Sequence, residues 1–301
     1  MLTLTFVRHG ESVDNVRNIW AGWKDSELSV HGFNQAKAVG EFFSASAKID
    51  NIFASPLQRA KITAMQIYDC QPDPKPVITL SPLLREQYWG VAEGHPFIFP
   101  SNMVKEGPHY KPLIGRSSRF HEGESLEDVE IRAGQFIDEY IAPLVLSSAG
   151  KSAREVMVFI VAHGIMISEM IDAIIRHDTS EGAPRSKTWR GLHNTGWTRL
   201  EIGLENERSA VSGSSVTPTT ADPRIDPEAL VAAGAQSADP LPKMKEHSPN
   251  LSSEEAKRPH LMVRITHVNE LSHLANVTRQ PGGIGSSPHD PKQTSIKDFF
   301  R

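Results

Sequence analysis

The sequence predicts an α/β protein, a three-layer sandwich in which helices cover both faces of a mainly parallel sheet. Short apolar segments alternate with segments of helical periodicity up to about residue 202 of the 301-residue chain. Two of the predicted strands, Leu2–Val7 and Val156–Val161, end abruptly in polar sequences that contain His9 and His163. Because ligands of such sheets bind where strands end, both histidines are expected at one site.

The elements after the first strand follow from helical spacing and turn residues. Ser29 is expected to cap a helix over Val30–Ser46, since Phe33, Ala36 and Phe43 recur at helical spacing. The next three elements are predicted at Asn51–Ala54 (strand), Leu57–Tyr68 (helix) and Val77–Leu80 (strand). This alternation indicates parallel strands with helices as crossovers.

The predicted domain spans residues 1–204, and its second half begins with an unusually long loop. Gly94–Gly123 is irregular, and a loop of that length is typical of a functional or disordered segment. Ser125 then starts a helix, with Asp128 placed to complete its N-terminal cap. A further helix is expected to end at Arg176, and Thr195–Ile202 is predicted to be the final strand.

The composition changes sharply beyond the domain. Asn206–Glu255 contains six Pro, eight Ser and no aromatic residue, which predicts a disordered linker because little apolar surface can be buried. Residues 256–280 are interpreted as a short ordered segment, with docking on the domain as one option. Their apolar positions fit a short helix or, through Leu261, Val263 and Ile265, a strand. Residues 281–301 are predicted to form a flexible tail.

Charge and cysteine content exclude several classes of partner. A formal net charge of −4 gives no field that would draw the whole molecule to nucleic acid or an acidic membrane, so neither is an expected direct partner. The single cysteine, Cys70, cannot form an intramolecular disulfide, which favours a reducing compartment. A cytoplasmic and/or nuclear location is therefore expected.

Three polar sequences bring cations and histidines to strand ends or helix starts. Arg8 and His9 follow the first strand, and Asn15 adds a neutral donor. Arg59 lies just inside a helix, near its partly positive N-terminus, and His163 precedes a glycine as His9 does. Two arginines, two histidines and a helix end are suited to bind a dianion such as a phosphoryl group.

Six motifs, in this order, resemble those of the histidine phosphatase superfamily in its phosphoglycerate mutase-like branch. The resemblance covers Leu2 to about Ile202 and implies a phosphoglycerate mutase-like fold. The motifs are Arg8-His9-Gly10-Glu11-Ser12 with Asn15, Leu28-Ser29-Val30-His31-Gly32-Phe33-Asn34-Gln35-Ala36, Ser55-Pro56-Leu57-Gln58-Arg59-Ala60 with Thr63, Leu84-Arg85-Glu86 with Gly90, Gly123-Glu124-Ser125-Leu126, and Val161-Ala162-His163-Gly164.

The resemblance implies a role for each site residue. His9 would accept the phosphoryl group as a phosphohistidine intermediate, and Glu86 would serve as proton donor and then as base. The residues that would bind phosphate are Arg8, Asn15, Arg59 and His163. No metal and no cofactor is implied, because cationic side chains supply the charge that stabilises the transferred group.

Departures from the family pattern concern substrate choice. The resemblance makes residues 94–123 a cap over the site, with Arg116 and Arg119 as possible substrate-binding residues. In a mutase of this family, the loop that begins with the acid is expected to read close to Glu-Arg-His-Tyr-Gly, and paired arginines are expected to bind the phosphoglycerate carboxylate. Here Glu86 is followed by Gln87-Tyr88-Trp89-Gly90, and two serines separate the arginines. These differences argue against a glycolytic mutase.

The C-terminal residues carry a separate motif. Gln293, Ile296, Phe299 and Phe300 fit the pattern of the PIP box, which docks on sliding clamps, and one helical turn would present the three apolar residues together. The alternative is that these residues fold back onto the protein's own surface.

Three functions are therefore weighed. The first is a metal-independent phosphomonoesterase that acts through a phosphohistidine on an unidentified anionic organic phosphate. The second is a weakly catalytic or non-catalytic scaffold in a nuclear complex, tethered to a sliding clamp through the C-terminal motif. The third is a phosphoglycerate mutase.

Overall fold

The computed structural model describes residues 1–97, 110–148, 155–178, 189–204 and 261–290. Its strands are β1 (Leu2–Arg8), β2 (Asn51–Ala54), β3 (Val77–Leu80), β4 (Val156–Ala162), β5 (Trp197–Leu204) and β6 (Leu261–Glu270). They form one six-stranded sheet in the order β3-β2-β4-β1-β5-β6. β1 to β4 are parallel, whereas β5 and β6 are antiparallel to their neighbours, which confirms the predicted mainly parallel sheet.

Helices cover both faces of this sheet. They are α1 (Val13–Arg17), α2 (Val30–Ser46), α3 (Gln58–Cys70), α4 (Leu126–Phe136), α5 (Ala142–Ser148) and α6 (Gly164–Arg176). A π-helical turn, Ile137–Ile141, joins α4 to α5. Among the described residues, no helix has the length and apolar character that a membrane span requires.

Two apolar cores separate the three layers. One lies between the sheet and α4 with α6, and includes Phe6, Phe136 and Ile160. The other lies between the opposite face and α2 with α3, and includes Phe43 and Phe159. Neighbouring residues of β4 enter different cores because successive side chains of a strand point to opposite faces. Burial of both faces explains why β4 reads as a continuous apolar run.

Local signals in the sequence account for where two of the helices, α2 and α4, begin. Ser29 accepts a hydrogen bond from the Gly32 N–H and caps α2. Ser125 and Asp128 form a reciprocal capping box at the start of α4. Both caps satisfy N–H groups that a helix leaves unpaired in its first turn.

The C-terminal part of the described chain adds a strand to the sheet and contacts the domain. Leu261–Glu270 is a strand, β6, which pairs with β5, so the strand predicted as final is not the last. Residues 281–290, predicted to belong to a flexible tail, contact the domain: the His289 ring stacks on Phe33 at 3.7 Å, and the Val30 N–H donates to the Ser287 carbonyl. The predicted linker, residues 98–109 of the predicted cap, and Gln293, Ile296, Phe299 and Phe300 lie outside the described residues.

Candidate active site

Three parallel strands end side by side and bring the polar motifs together. Arg8 lies opposite Ala162 in the β1–β4 register, and the His9 N–H donates to the Ala162 carbonyl at 3.0 Å. The Ser55 N–H, just beyond β2, donates to the Val161 carbonyl. His9 and His163 therefore meet at the carboxyl edge of the sheet, with ring centroids 5.0 Å apart.

The His9 ring is held as a neutral base with one free nitrogen. Nδ1 lies 2.7 Å from the Gly10 carbonyl oxygen. A carbonyl only accepts, so Nδ1 carries the proton and Nε2 keeps its lone pair. Burial lowers the pKa of His9 well below its usual range, and the charges of Arg59 and Arg8 lower it further. This state is suited to nucleophilic attack.

His163 is also buried and neutral. Burial is the main cause that lowers its pKa, and Arg59 and His9 add to the effect. Its Nε2 lies 2.9 Å from the Ser55 hydroxyl oxygen, which also accepts from the Leu57 N–H. In the tautomer with its proton on Nδ1, His163 accepts the Ser55 hydroxyl hydrogen at Nε2 and keeps Nδ1–H as a donor.

Two buried guanidinium groups supply positive charge. Arg59, 1% exposed, donates to the carbonyls of Gly22 and Lys24, and Arg8 donates to the Leu192 carbonyl. Burial lowers the pKa of both arginines, and the nearby Glu86 carboxylate opposes that shift. These bonds fix the orientation of both groups beside His9.

Three buried nitrogens around His9 have no hydrogen-bond partner among the described residues. They are Nε of Arg8, Nε of Arg59 and Nδ1 of His163. Buried donors in folded proteins are normally paired, because an unpaired one carries the full cost of desolvation. An anion with several acceptor oxygens satisfies donors of this kind.

Asn15 occupies the first turn of α1. Its Oδ1 accepts from the Ser12 N–H at 3.0 Å and from Asn194 Nδ2 at 3.3 Å. With the oxygen occupied in this way, the Asn15 amide group keeps its N–H donors for another acceptor. Asn194 also donates to the His9 carbonyl at 3.1 Å. The sequence does not point to Asn194, because an asparagine between a predicted loop and strand carries no spacing signal.

Glu86 meets the beginning of α6. Its two carboxylate oxygens accept from the backbone N–H groups of Gln87, Ile165 and Met166, at 3.0 to 3.3 Å. The first residues of α6 have no carbonyl partners within the helix, so their N–H groups are free for this carboxylate. Glu86 is thereby tied to the element that follows His163.

A guanidinium from α4 holds the loop that carries Glu86. Arg132 donates to the carbonyls of Leu83, Arg85 and Glu86, and to both carboxylate oxygens of Glu124. Glu124 in turn accepts from the Tyr88 N–H at 2.9 Å. All five N–H donors of Arg132 are used. Sequence reasoning missed this residue, although Glu124 belongs to one of the six motifs.

Glu93 holds the loop of residues 22–24, whose carbonyl groups bind Arg59. Its carboxylate accepts from the backbone N–H groups of Trp23, Lys24 and Trp89. Burial raises the pKa of Glu93, although these hydrogen bonds oppose the shift. The carboxylate lies so close to Gly22, which has a φ of +49°, that a β-carbon there would meet it at 1.9 Å. The positive φ accounts for the glycine.

The two arginines expected at the substrate are engaged in ion pairs. Arg116 binds the carboxylates of Glu130 and Glu169, which raise its pKa, and Arg119 binds Asp128 at 3.1 Å. These contacts fasten the described end of the cap to α4 and α6. A role of Arg116 and Arg119 at a substrate stays a prediction.

Fold and site together define a class: an α/β protein with two histidines and two arginines gathered where its parallel strands end. The model of the histidine phosphatase superfamily (branch 1) matches residues 4–212, more than half of the chain. The chain belongs to this superfamily. The resemblance noted in the six motifs is thereby confirmed.

Relatives in the superfamily include phosphatases and mutases. Fructose-2,6-bisphosphatase TIGAR of Xenopus tropicalis is 38% identical over 158 residues, which are 50% of this chain and 53% of the relative. The match thus spans about half the length of that relative. The 2,3-bisphosphoglycerate-dependent phosphoglycerate mutase of Bartonella bacilliformis is 30% identical over 193 residues, 60% of this chain and 89% of the mutase.

Solved structures share the fold. A structure described as mycobacterial hydrolase 1 has a TM-score of 0.51 and 23% identity, and covers 67% of this chain and 90% of its own. Mycobacterial glucosyl-3-phosphoglycerate phosphatase with VO3 has a TM-score of 0.50 and 22% identity; the match covers 66% of this chain and 92% of the phosphatase chain. Both likenesses show the fold that the chain shares with these proteins.

Proposed function

We propose that this protein is a metal-independent phosphomonoesterase that works through a phosphohistidine at His9. The observation that carries the proposal is the neutral His9 ring, whose proton on Nδ1 is held by the Gly10 carbonyl while Nε2 is free. The unpaired donors of Arg8, Arg59 and His163 support it, since they suit the oxygens of a bound phosphate.

In the first step the Nε2 lone pair of His9 attacks phosphorus. A P–N bond forms, and the bond between phosphorus and the ester oxygen breaks. Glu86, as a carboxylic acid, gives its proton to that leaving oxygen. Arg8 and Arg59 stabilise the charge that spreads over the three remaining oxygens, with Asn15 and His163 as neutral donors. These side chains thereby supply the positive charge for the step.

In the second step water hydrolyses the phosphohistidine. The Glu86 carboxylate takes a proton from the water as its oxygen attacks phosphorus and the P–N bond breaks. His9 leaves as the neutral imidazole, with its Nδ1 proton still donated to Gly10. Splitting the reaction in this way replaces one difficult displacement by two easier ones.

The substrate proposed is a small, anionic phosphate ester. The relatives are named for phosphorylated sugars and phosphorylated glycerates, and the site combines two buried arginines with donors for one phosphoryl group. Fructose 2,6-bisphosphate and 2,3-bisphosphoglycerate are therefore the first esters to test. Because mutases are among the relatives, the reaction that competes with hydrolysis is phosphoryl transfer to a second glycerate. Analysis of the products distinguishes the two reactions.

The deciding experiment measures hydrolysis of 4-nitrophenyl phosphate in EDTA by wild type, His9→Ala and His177→Ala. The control residue, His177, caps the far end of α6 from the site. Wild type and His177→Ala are expected to turn over and to carry an acid-labile phosphate on quenching, whereas His9→Ala does neither. Equal rates for all three proteins contradict the covalent mechanism, and loss of all turnover in EDTA contradicts metal independence.

We propose in addition that the C-terminal motif tethers the enzyme to a sliding clamp. Gln293, Ile296, Phe299 and Phe300 support this through their spacing alone. If phosphatase activity is absent while the clamp binds, the scaffold function replaces the enzymatic one.

A further inference from the structure

The segment 261–290 lies beyond the region matched by the family, which ends at residue 212. It begins with β6, the edge strand that extends the sheet beyond β5. Val263 of β6 is buried in the apolar core shared with α4 and α6. The segment is therefore built into the domain, and its next residues run toward the end of the sheet that carries His9.

The loop 192–196 connects this part of the molecule to the site. The Leu192 carbonyl accepts from the Arg8 guanidinium, and Asn194 donates to the His9 carbonyl at 3.1 Å. The Thr195 N–H donates to the Arg8 carbonyl at 3.0 Å. Both the backbone of the nucleophile and the side chain of one phosphate-binding arginine thus depend on the position of this loop.

Asn269, at the end of β6, holds the same loop from its other side. Its Oδ1 accepts from the His193 N–H at 2.9 Å, and its Nδ2 lies 2.8 Å from His193 Nδ1. Its own N–H donates to the Thr198 hydroxyl at 3.1 Å. With a φ of +49°, Asn269 adopts a left-handed conformation, which asparagine tolerates better than most residues.

Two further contacts support this arrangement. His273, which is 9% exposed, places Nε2 3.0 Å from the Thr195 hydroxyl. Arg279 forms an ion pair with Glu11, two residues beyond His9. The segment therefore contacts the motif that contains His9 directly as well as through the loop.

We propose that the segment 261–290 completes the active site, with Asn269 as a positioning residue that acts on His9 and Arg8 through the loop 192–196. This inference rests on the proposed function. Asn269 touches neither the reacting nitrogen nor a phosphate-binding side chain. Asn269 fixes the loop 192–196, and the donors and acceptors of that loop orient His9 and Arg8.

The test compares Asn269→Gly with Arg264→Ala in the full chain. Glycine adopts the positive φ without strain and removes only the side-chain bonds. Arg264 lies on the same strand and pairs with Glu201 on an exposed surface, so it serves as the control. Both variants are assayed at a temperature at which circular dichroism shows them to be folded, which separates positioning from stability.

Asn269→Gly is expected to lower kcat for 4-nitrophenyl phosphate by about tenfold or more and to weaken inhibition by inorganic phosphate, because small displacements of reacting groups are costly. Arg264→Ala is expected to match wild type in both. If Asn269→Gly does not fold, Asn269→Asp takes its place and is expected to show the same losses at smaller amplitude. Wild-type values in the variant used overturn the inference.

A double variant tests the route through the loop. If Asn269 acts through Asn194, then adding Asn269→Gly to Asn194→Ala slows the enzyme little further, whereas additive losses overturn that route. Absence of hydrolysis in wild type contradicts the proposed function alone. In that case calorimetric binding of inorganic phosphate by wild type and Asn269→Gly still decides the inference, with equal affinities overturning it.

Discussion

The charged states of the site residues decide which role each can take. Burial keeps the pKa values of His9 and His163 well below the usual range, so both imidazoles are neutral at pH 7. Arg8 and Arg59 remain cations, because an arginine does not lose its proton in proteins. The site therefore pairs a nucleophile that has an available lone pair with two fixed positive charges for the phosphate oxygens.

Substitution of Arg59 is expected to weaken phosphate binding. Arg59→Ala removes at least one charge-assisted hydrogen bond, about 1.5–3 kcal/mol, which corresponds to a rise of roughly tenfold to a hundredfold in the inhibition constant of inorganic phosphate. The measurement is competitive inhibition of 4-nitrophenyl phosphate hydrolysis.

The control for Arg59 is Lys61→Ala, an exposed lysine two residues further along α3. It is expected to leave the inhibition constant within about twofold of wild type, since surface charges are screened by salt. An Arg59→Ala protein that matches this control removes Arg59 from the phosphate site.

Substitution of Arg132 is expected to slow chiefly those substrates whose leaving oxygen needs a proton from Glu86. Arg132→Lys replaces five fixed donors by three and loosens the loop of Glu86. We therefore expect it to slow an alkyl phosphate by roughly tenfold to a hundredfold and 4-nitrophenyl phosphate much less, in the same direction as Glu86→Gln. The measurement is the ratio of kcat/KM for the two leaving groups, because kcat/KM reports the first step and not the hydrolysis of the phosphohistidine, which both substrates share.

A matched arginine controls for general effects of the replacement. Arg176 pairs with Glu130 on the surface of the same layer, and Arg176→Lys should keep the wild-type ratio. Equal losses with both leaving groups in Arg132→Lys show that Arg132 acts on something other than the position of Glu86.

The residues at the site were predictable where they follow strand ends, and not where tertiary contacts place them. His9 and His163 each follow a strongly apolar strand, so the position of both could be inferred from the sequence alone. Arg132 lies 46 residues after Glu86, whose carbonyl it binds. Asn194 lies 185 residues after His9, whose carbonyl it binds. No local spacing encodes such contacts, so only the folded structure reveals them.

At the scale of elements, the additional edge strand β6 adds a titratable residue to the support of the site. His273 follows β6, and burial lowers its pKa to about 4. Between pH 6.5 and about 4 the unfolded chain binds a proton at this position that the folded protein does not. Stability therefore rises with pH across this window and is lost as the pH falls through it.

His273→Gln is expected to reduce that dependence on pH. Glutamine does not titrate, so the difference in free energy of unfolding between pH 7 and pH 4.5 should be smaller in the variant than in wild type. Urea unfolding at the two pH values measures it. His121→Gln, at a side chain that is 59% exposed, is the control and should keep the wild-type difference. A His273→Gln protein with an unchanged difference contradicts the assignment.

The elements themselves show which signals in a sequence are strong. The bounds of α2 and of β2 match their predictions, because an N-terminal cap and a buried apolar run are local features. The segment from Leu261 fitted both a helix and a strand, and its partner β5 decided between them. Edge strands depend on pairing more than on their own pattern, which is why the sequence left this one open.

At the scale of the whole molecule, the last described residues lie at a defined place on the domain. His289 donates its N–H to the Leu28 carbonyl and stacks on Phe33, beside the start of α2. Residues 291–301 follow directly and include the predicted clamp-binding motif. Eleven residues span at most about 40 Å when extended, so a clamp bound there would lie close to the enzyme.

A peptide of residues 292–301 is expected to bind a eukaryotic sliding clamp with micromolar affinity. Ile296, Phe299 and Phe300 would bury their apolar surface on the clamp, and this burial has to offset the entropy lost when the peptide backbone becomes ordered. Lys292, Lys297 and Arg301 should make binding weaker at high salt. Calorimetry of the peptide and of a version with Phe299→Ala and Phe300→Ala measures this, and the altered peptide should give no heat. If neither peptide binds and the same double substitution lowers the melting temperature of the full chain, the C-terminal residues contact the enzyme itself and the proposed tether is wrong.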